Sequence, residues 1–150
     1  MPIVDESIVI PAPPEAVFDY LDDPANITSF QATVMSAELE GEGPVSVGSR
    51  VKGTSKVLGR TFDWSAEVTE HDRPRRWASK TVEGKIPFTL VYTCEAEDEG
   101  TRLRYHLEAP AGLGGVFGRL ADALVNKAYT RQVRADLATL AEILTEHGDG

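Results

Sequence analysis

A short β-branched run near the N-terminus is followed by two segments with helical signals. Ile8–Ile10 stops at Pro11, so we predict a strand that ends there. Pro13-Pro14 then opens a helix, because proline fixes φ at a first-turn position and loses no hydrogen bond there. One face of that helix is apolar and consists of Val17, Phe18 and Leu21. Asp22–Pro24 ends it, and we expect a second short helix through about Phe30.

The middle of the chain has a period of two. Inward positions alternate with polar ones between residues 61 and 108, and turn signals at Asp72–Pro74 and Glu97–Gly100 separate the stretches. The pattern predicts three or four consecutive antiparallel strands with one apolar face. The positions expected to face inward are Phe62, Trp64, Ala66, Trp77, Ser79, Thr81, Phe88, Leu90, Tyr92, Cys94, Leu103, Tyr105 and Leu107.

Residues 114–145 contain no proline and are predicted to form one long helix. It carries two apolar stripes, Leu113, Phe117, Leu120 and Leu124, then Val133, Leu137, Leu140 and Leu144. Each residue turns about 100°, which puts Leu124 and Val133 on opposite sides of a straight helix. Either the helix kinks or breaks near Gly114–Gly118, or its first half is apolar on both faces. The second stripe, extended backward, points Thr130 and Asn126 toward the interior.

The predicted inward surface mixes large aromatic side chains with small polar ones. Tryptophan and tyrosine are costly to bury unless their N–H or O–H group finds a partner. One interpretation is that they fill a curved sheet against a helix; the other is a pocket with an apolar body and a few polar anchors. The order of elements indicates a curved sheet closing over a helix, which favours the pocket. The residues predicted to line it are Phe62, Trp64, Trp77, Ser79, Thr81, Phe88, Leu90, Tyr92, Tyr105, Leu107, Phe117, Leu120, Leu124, Asn126 and Thr130.

Composition and charge narrow the function classes. The 150 residues fit one domain, 1–150, with a full core. A net charge of −9 and a pI of about 4.8 disfavour nucleic acid and stable association with anionic membranes. No apolar run is long enough for a membrane span, and no secretory signal follows Met1. The single cysteine, Cys94, excludes an internal disulfide, so the expected location is the cytoplasm.

Short motifs in a particular order add to this picture. They are Ile10–Phe18 (Ile-Pro-Ala-Pro-Pro-Glu-Ala-Val-Phe), Leu21–Pro24, Val47–Val51, Glu67–Glu70, Arg73–Trp77 and Gly100–Leu103, followed by the leucine-rich terminal helix. Over nearly the whole chain they resemble the START-like, or SRPBCC, superfamily, and most closely its bacterial polyketide cyclase/dehydrase-type branch.

This resemblance implies an α+β helix-grip fold, as in the birch-pollen allergen. A seven-stranded antiparallel sheet would wrap around the long C-terminal helix, with two short helices after the first strand. It also implies a deep hydrophobic cavity for lipids, polyketides or aromatic metabolites. Members include cyclases, coenzyme-Q-binding chaperones, ring-hydroxylase subunits and lipid carriers, so the fold by itself does not select a function.

Side chains for catalysis are scarce on the predicted inner face. His71 beside a turn, His106 on a solvent face and His147 in the tail show no metal-ligand spacing, so we predict no metal and no organic cofactor. Cys94 faces inward without a histidine beside it, which favours a small buried hydrophobe over a nucleophile. The inward polar groups are hydroxyls, indoles and an amide, none a good base near neutral pH. Cyclases of the superfamily can act mainly by folding their substrate, so the question of enzyme activity stays open.

Three functions are carried forward. The first is a carrier or binding protein for a hydrophobic or aromatic small molecule, and the second is a polyketide cyclase or dehydratase that positions its substrate without metal or cofactor. The third is a non-catalytic interaction module of a monomer or homodimer, with a dimer contact formed by Val116, Leu120 and Val125. A solvated hairpin, or a docking point for an acidic carrier protein or anionic headgroup, would explain the basic cluster of Arg73, Arg75 and Arg76.

Overall fold

The part of the chain that the structure describes forms seven strands and three α-helices. This computed structural model describes residues 3–41, 44–57, 59–84, 87–109 and 122–148. The first strand, β1 (Ile3–Ile10), leads into α1 (Pro14–Asp22), a 3-10 turn (Pro24–Asn26) and α2 (Ile27–Phe30). The elements that follow are β2 (Val34–Glu40), β3 (Arg50–Val57), β4 (Arg60–Asp72), β5 (Arg76–Gly84), β6 (Thr89–Glu97), β7 (Gly100–Glu108) and α3 (Asp122–Gly148).

The strands form one antiparallel sheet in the order β1-β7-β6-β5-β4-β3-β2. Strands β2 to β7 pair with their neighbours in sequence, while β1 pairs with β7 at the other edge. Irregular pairing lies between Val34 and Ser36 in β2 and at two places in β4, and such bulges bend a strand and increase its twist. The predicted antiparallel strands and the helix-grip arrangement are confirmed.

The N-terminal segment follows the sequence signals closely. Helix α1 begins at Pro14, with Pro13 in an extended conformation before it, and it buries Val17, Phe18 and Leu21. The side chain of Asp23 accepts a hydrogen bond from the Ala25 backbone N–H at 3.0 Å, which satisfies a free donor at the start of the 3-10 turn.

Helix α3 packs one apolar stripe against the sheet and α1. The buried members of that stripe are Val133, Leu137, Leu140 and Leu144, as the spacing predicts. The helix continues to Gly148, so His147 belongs to a helix rather than to a tail. Residues 110–121 are outside the described ranges, and with them the alternatives of a kink near Gly114–Gly118 or a second apolar face.

The interior changes character along the strands. At one end, Leu103 of β7 and Cys94 of β6 pack with Ile10, Phe18 and Leu140 in a closed hydrophobic core. Further along the same two strands the inward side chains are larger and surround a cavity. No helix in the described residues is both long and apolar enough to cross a membrane.

Candidate ligand-binding cavity

A cavity of about 100 Å³ lies between the inner face of the sheet, the α1–α2 segment and α3. Its wall is mostly apolar, and none of the described lining residues carries a formal charge. The lining residues are Leu21, Ile27, Phe30, Gln31, Thr33, Val34, Val51, Ser55, Phe62, Trp64, Ala66, Val68, Trp77, Ser79, Phe88, Leu90, Tyr92, Tyr105, Leu107 and Tyr129.

The inward positions inferred from the period of two supply much of this wall. The residues that were predicted to line the pocket and do contribute to its wall are Phe62, Trp64, Trp77, Ser79, Phe88, Leu90, Tyr92, Tyr105 and Leu107. Thr81 does not line the cavity. Its hydroxyl instead accepts a hydrogen bond from the Phe88 backbone N–H at 3.1 Å, which ties the β5–β6 connection together.

The position of the polar group on α3 differs from the expectation. Thr130 is half-buried and is not part of the wall, whereas Tyr129 is. On a helix, the residues three and four positions before Val133, Thr130 and Tyr129, both lie near the same face as Val133. The prediction chose Thr130, which is three positions earlier. In the structure it is Tyr129, four positions earlier, that lines the cavity.

Several positions predicted from the C-terminal helix lie outside the described residues or side chains. Phe117 and Leu120 lie outside the described residues, as does Val116 of the suggested dimer contact. The backbone of Leu124, Val125 and Asn126 is part of α3, but their side chains are outside the described set.

The α1–α2 segment and the strands β2 and β3 contribute residues that the pocket prediction left out. These are Leu21, Ile27, Phe30, Gln31, Thr33, Val34, Val51 and Ser55. The apolar face of α1 was visible in the sequence. What the sequence did not show is that the segment from Ile27 to Val34 folds across the open end of the sheet. Two further wall residues lie on β4, namely Ala66, which was expected to face inward, and Val68.

Both tryptophans place their indole N–H groups on hydrogen-bond acceptors. Trp64 donates to Ser55 Oγ at 2.8 Å, and its ring meets Phe88 edge-on at 6.4 Å between centroids. Trp77 donates to Asp22 Oδ1 at 3.2 Å. Each indole therefore presents its apolar body to the cavity without leaving a buried donor unpaired.

One side of the cavity is polar, and we call it the tyrosine wall: Gln31, Tyr92, Tyr105 and Tyr129. Gln31 Nε2 donates to the Tyr92 hydroxyl at 2.7 Å, and the hydroxyls of Tyr105 and Tyr129 are 3.2 Å apart. The rings of Tyr92 and Tyr105 pack edge-to-face at 5.5 Å. Burial raises the pKa of all three tyrosines above the usual value of 10, so their hydroxyls stay protonated.

Asp136 of α3 is a buried carboxylate near this wall. Its Oδ1 accepts hydrogen bonds from the Ala32 backbone N–H at 3.2 Å and from Gln132 Nε2 at 2.9 Å. Burial raises its pKa above the usual 3.8, against the opposing effect of these two donors. The contact with Ala32 fastens the turn before β2 to the helix.

His71 is not the simple surface residue that its neighbouring turn suggested. Its Nε2 lies 2.9 and 3.0 Å from the two carboxylate oxygens of Asp22, and its ring packs edge-on against Phe18 at 5.3 Å. Asp22 thus joins the end of α1 to His71 on β4 and Trp77 on β5. His106 is on the outer face as expected, between Asp5 and Glu108.

The other candidate sites named from the sequence are the cysteine, a metal centre and the arginine cluster. Cys94 is buried, and burial raises its pKa to about 12, which disfavours the thiolate. Within the described ranges no three or more His, Cys, Asp or Glu residues are grouped to hold a metal. Arg73, Arg75 and Arg76 pair with Asp19, Asp72 and Glu70 respectively, as in a solvated hairpin.

The cavity can therefore enclose an apolar body and offer hydroxyl groups to one of its ends. A general base would need a pKa near neutral and a position on the wall. The polar groups of the described lining belong to tyrosines, tryptophans, two serines, one threonine and a glutamine, none of which meets that requirement.

Comparisons with known proteins agree with this architecture. The model of the family described as "Polyketide cyclase / dehydrase and lipid transport" matches residues 1–145. No curated protein matches the chain significantly.

Three solved structures illustrate the likeness. TTHA0849 from Thermus thermophilus has a TM-score of 0.80 at 24% identity, covering 97% of this chain and 99% of that one. Zhui aromatase/cyclase from Streptomyces sp. R1128 has a TM-score of 0.77 at 18% identity, covering 95% and 93%. Ara h 8.0201 has a TM-score of 0.69 at 15% identity, covering 96% and 97%. At these identities the likeness concerns the fold.

Proposed function

The chain belongs to the polyketide cyclase/dehydrase and lipid transport family, and on that premise we propose that it binds an uncharged, largely apolar small molecule in the cavity between sheet and helix. The observation that carries the proposal is the wall itself. Its aromatic and aliphatic side chains surround free space that an ordinary core would fill. Apolar pockets with a few placed polar groups are the usual form of small-molecule sites.

The size of the cavity favours a ligand with one ring or a short chain. An engineered apolar cavity of about 150 Å³ binds benzene, and pockets for drug-sized ligands run to about 300–1,000 Å³. At about 100 Å³ this cavity is nearer the first case. Partly exposed lining residues, among them Ile27, Phe62 and Phe88, give it an open side, through which a longer ligand would extend.

A cyclase or dehydratase that acts by positioning its substrate is the second candidate. The description of the family supports it. The wall argues for the first candidate, because its described residues lack a base and its volume is small for a folded polyketide. We accordingly place binding or transport ahead of turnover.

The net charge and the single cysteine bear on the partner and the cellular compartment that we propose. The net charge of −9 disfavours nucleic acid as a partner, so the proposed partner is the small molecule alone. The single, buried cysteine is compatible with a reducing compartment, and we propose the cytoplasm.

Native mass spectrometry of the protein purified from its own host, followed by solvent extraction, tests the proposal. We expect a stoichiometric apolar adduct, or, if the protein is purified empty, saturable one-to-one binding of toluene by calorimetry. A bare mass together with no binding of toluene or naphthalene would contradict it. Turnover of a linear poly-β-ketone by the purified protein would instead move the second candidate ahead of the first.

A further inference from the structure

The tyrosine wall has hydrogen-bonding capacity that the protein does not use within the described residues. The Tyr92 hydroxyl accepts from Gln31, and its own proton has no acceptor among those residues. In the Tyr105–Tyr129 pair only one hydroxyl can donate to the other, so the second proton has no acceptor among the described residues. Both protons belong to groups that line the cavity.

Hydroxyl protons in a buried apolar site are costly to leave without an acceptor. A ligand oxygen placed against this wall would supply one. Carbonyl, ether and phenol oxygens all accept hydrogen bonds, so the ligand's oxygen end would lie at the tyrosines, with its apolar body against Trp77, Leu90 and Leu107.

Phenolic donors can also bind an anion. The charge of the surrounding residues therefore decides whether the cavity favours a neutral or an anionic ligand. No lysine, arginine or histidine is among the described lining residues. The buried carboxylate of Asp136 is close enough that its charge raises the pKa of Tyr92, Tyr105 and Tyr129. An anion would therefore lose its hydration and meet a negative field, with no cation among the described lining residues to offset either.

We propose that the tyrosine wall is the polar subsite of the cavity, and that it takes the oxygen of a neutral single-ring ligand such as a phenol or aryl ketone while rejecting the corresponding anion. This inference rests on the proposed function, because it concerns the same cavity. It adds the chemical class of the ligand and the end of the cavity at which its oxygen is held.

The test uses a matched pair of probes, 4-nitrophenol and 4-nitrotoluene. They have nearly the same shape and share a nitro group, but only the phenol carries a hydroxyl, which donates, accepts and titrates, and its two protonation states absorb differently. We expect both to bind near neutral pH. The phenolate should bind at least tenfold more weakly than the phenol, which raises the apparent pKa of bound 4-nitrophenol by at least about one unit.

Substitutions of the wall tyrosines connect the effect to the wall. The double variant Tyr105→Phe/Tyr129→Phe should weaken 4-nitrophenol binding roughly fivefold, the value of one net hydrogen bond, and leave 4-nitrotoluene unchanged. Either single variant should have a smaller effect, because the remaining hydroxyl then has its proton free. Tyr20→Phe is the control, since Tyr20 packs against the core and does not line the cavity.

Each result has a separate meaning. If neither probe binds, the proposed function and this inference both fail. If 4-nitrotoluene binds but the pKa of bound 4-nitrophenol is unchanged or lowered, the function stands and the neutral-ligand inference is overturned. Should the double variant not fold, the pKa shift on the unmodified protein decides, and Asp136→Asn should reduce that shift.

Discussion

At the scale of single residues, the cavity-lining Trp64 makes a close contact with Gly53. The two residues are direct neighbours across β3 and β4, and the indole lies over the glycine. A Cβ at residue 53 would be 2.6 Å from the Trp64 ring and 2.3 Å from the Ser36 carbonyl oxygen. The missing side chain is thus what lets the tryptophan lie flat on the wall and reach Ser55.

Gly53→Ala should accordingly destabilise the protein. The carbonyl of Ser36 belongs to the backbone and cannot rotate away, so β2 and β3 must separate. We expect a loss of about 2 kcal/mol or more in the free energy of unfolding, measured by urea denaturation. Lys56→Ala, exposed on the same strand, should change it by less than about 0.5 kcal/mol. Equal stability of the two variants would show that the close approach is relieved easily.

The outer face of the sheet carries a pH-dependent cluster. Hydrogen bonding to Glu108, and then to Asp5, raises the pKa of His106 above its usual 6.5. The Arg104 guanidinium is the main reason that the pKa of Asp5 falls to about 2. A raised histidine pKa means that protonated His106 stabilises the fold at pH values below 6.5, and that this contribution is lost as pH rises through the raised pKa.

His106→Gln should therefore cost the most stability in mildly acidic solution. The difference in unfolding free energy from the unmodified protein should be largest below pH 6.5 and shrink at alkaline pH. Denaturant titrations from about pH 5 to about pH 9 measure it. A difference that stays constant over this range would mean that protonated His106 does not stabilise the fold.

At the scale of secondary-structure elements, α3 and the turn before β2 are held together by Asp136. Its carboxylate accepts from Ala32 of the turn and from Gln132 one helical turn earlier. The turn carries Gln31 and Thr33, which both line the cavity. Asp136 therefore fixes the position of one side of the site without lining it.

We expect Asp136 to stabilise the fold as a hydrogen-bond acceptor and not through its negative charge. Two substitutions separate these two contributions. Because the folded protein raises its pKa, ionisation of Asp136 costs stability above the usual pKa of 3.8. Asp136→Asn keeps an acceptor oxygen and should be as stable as the unmodified protein or more stable at neutral pH. Asp136→Ala should lose about 1–3 kcal/mol, because the Ala32 N–H is left unpaired.

Thermal or urea unfolding of both variants checks this, with Thr139→Ala on the exposed side of α3 as the control. An Asn variant as unstable as the Ala variant would show that the charge is needed at this position. The comparison is best made at neutral pH, since protonation at low pH removes the difference in charge.

The sequence predicts the inner faces of the strands better than the face of the helix or the contacts between residues that are distant in sequence. Alternation placed Phe62, Trp64 and Tyr92 on the inner face, because a strand has only two faces. A helix has a continuous surface, so neighbouring positions can both lie near one face. Extending the apolar stripe of α3 backward therefore predicted Thr130 at the cavity, whereas Tyr129 lines it. The link between His71 and Asp22 joins residues 49 apart in sequence, and no local pattern reports such a contact.

At the scale of the whole molecule, the sheet and helices divide the interior into a packed end and an open end. Leu103 and Leu140 close the packed end, while Trp77, Leu90 and Leu107 surround the cavity. The fold is shared with proteins of 15–24% identity, so under the proposed function the choice of ligand would rest on the residues that line the open end.

The volume of the open end should set the size of the preferred ligand. Leu90→Ala removes most of a half-buried wall side chain and should shift the ratio of toluene to naphthalene affinity toward naphthalene, at a cost of about 2 kcal/mol in stability. Leu39→Ala is the matched control, because Leu39 is also half-buried against the core but does not line the cavity. Calorimetric titration gives the ratio, and an equal change in both variants would contradict a role of this wall in selecting size.

The central claim is that the cavity between sheet and α3 is where the ligand binds. A crystal structure of the protein soaked with 4-bromotoluene tests it most directly, because the anomalous signal of bromine locates the ring without prior assumptions. The account predicts one strong peak inside the cavity, within van der Waals distance of Trp77, Leu90 or Leu107. An empty cavity, with bromine only at the outer surface or nowhere, would contradict it.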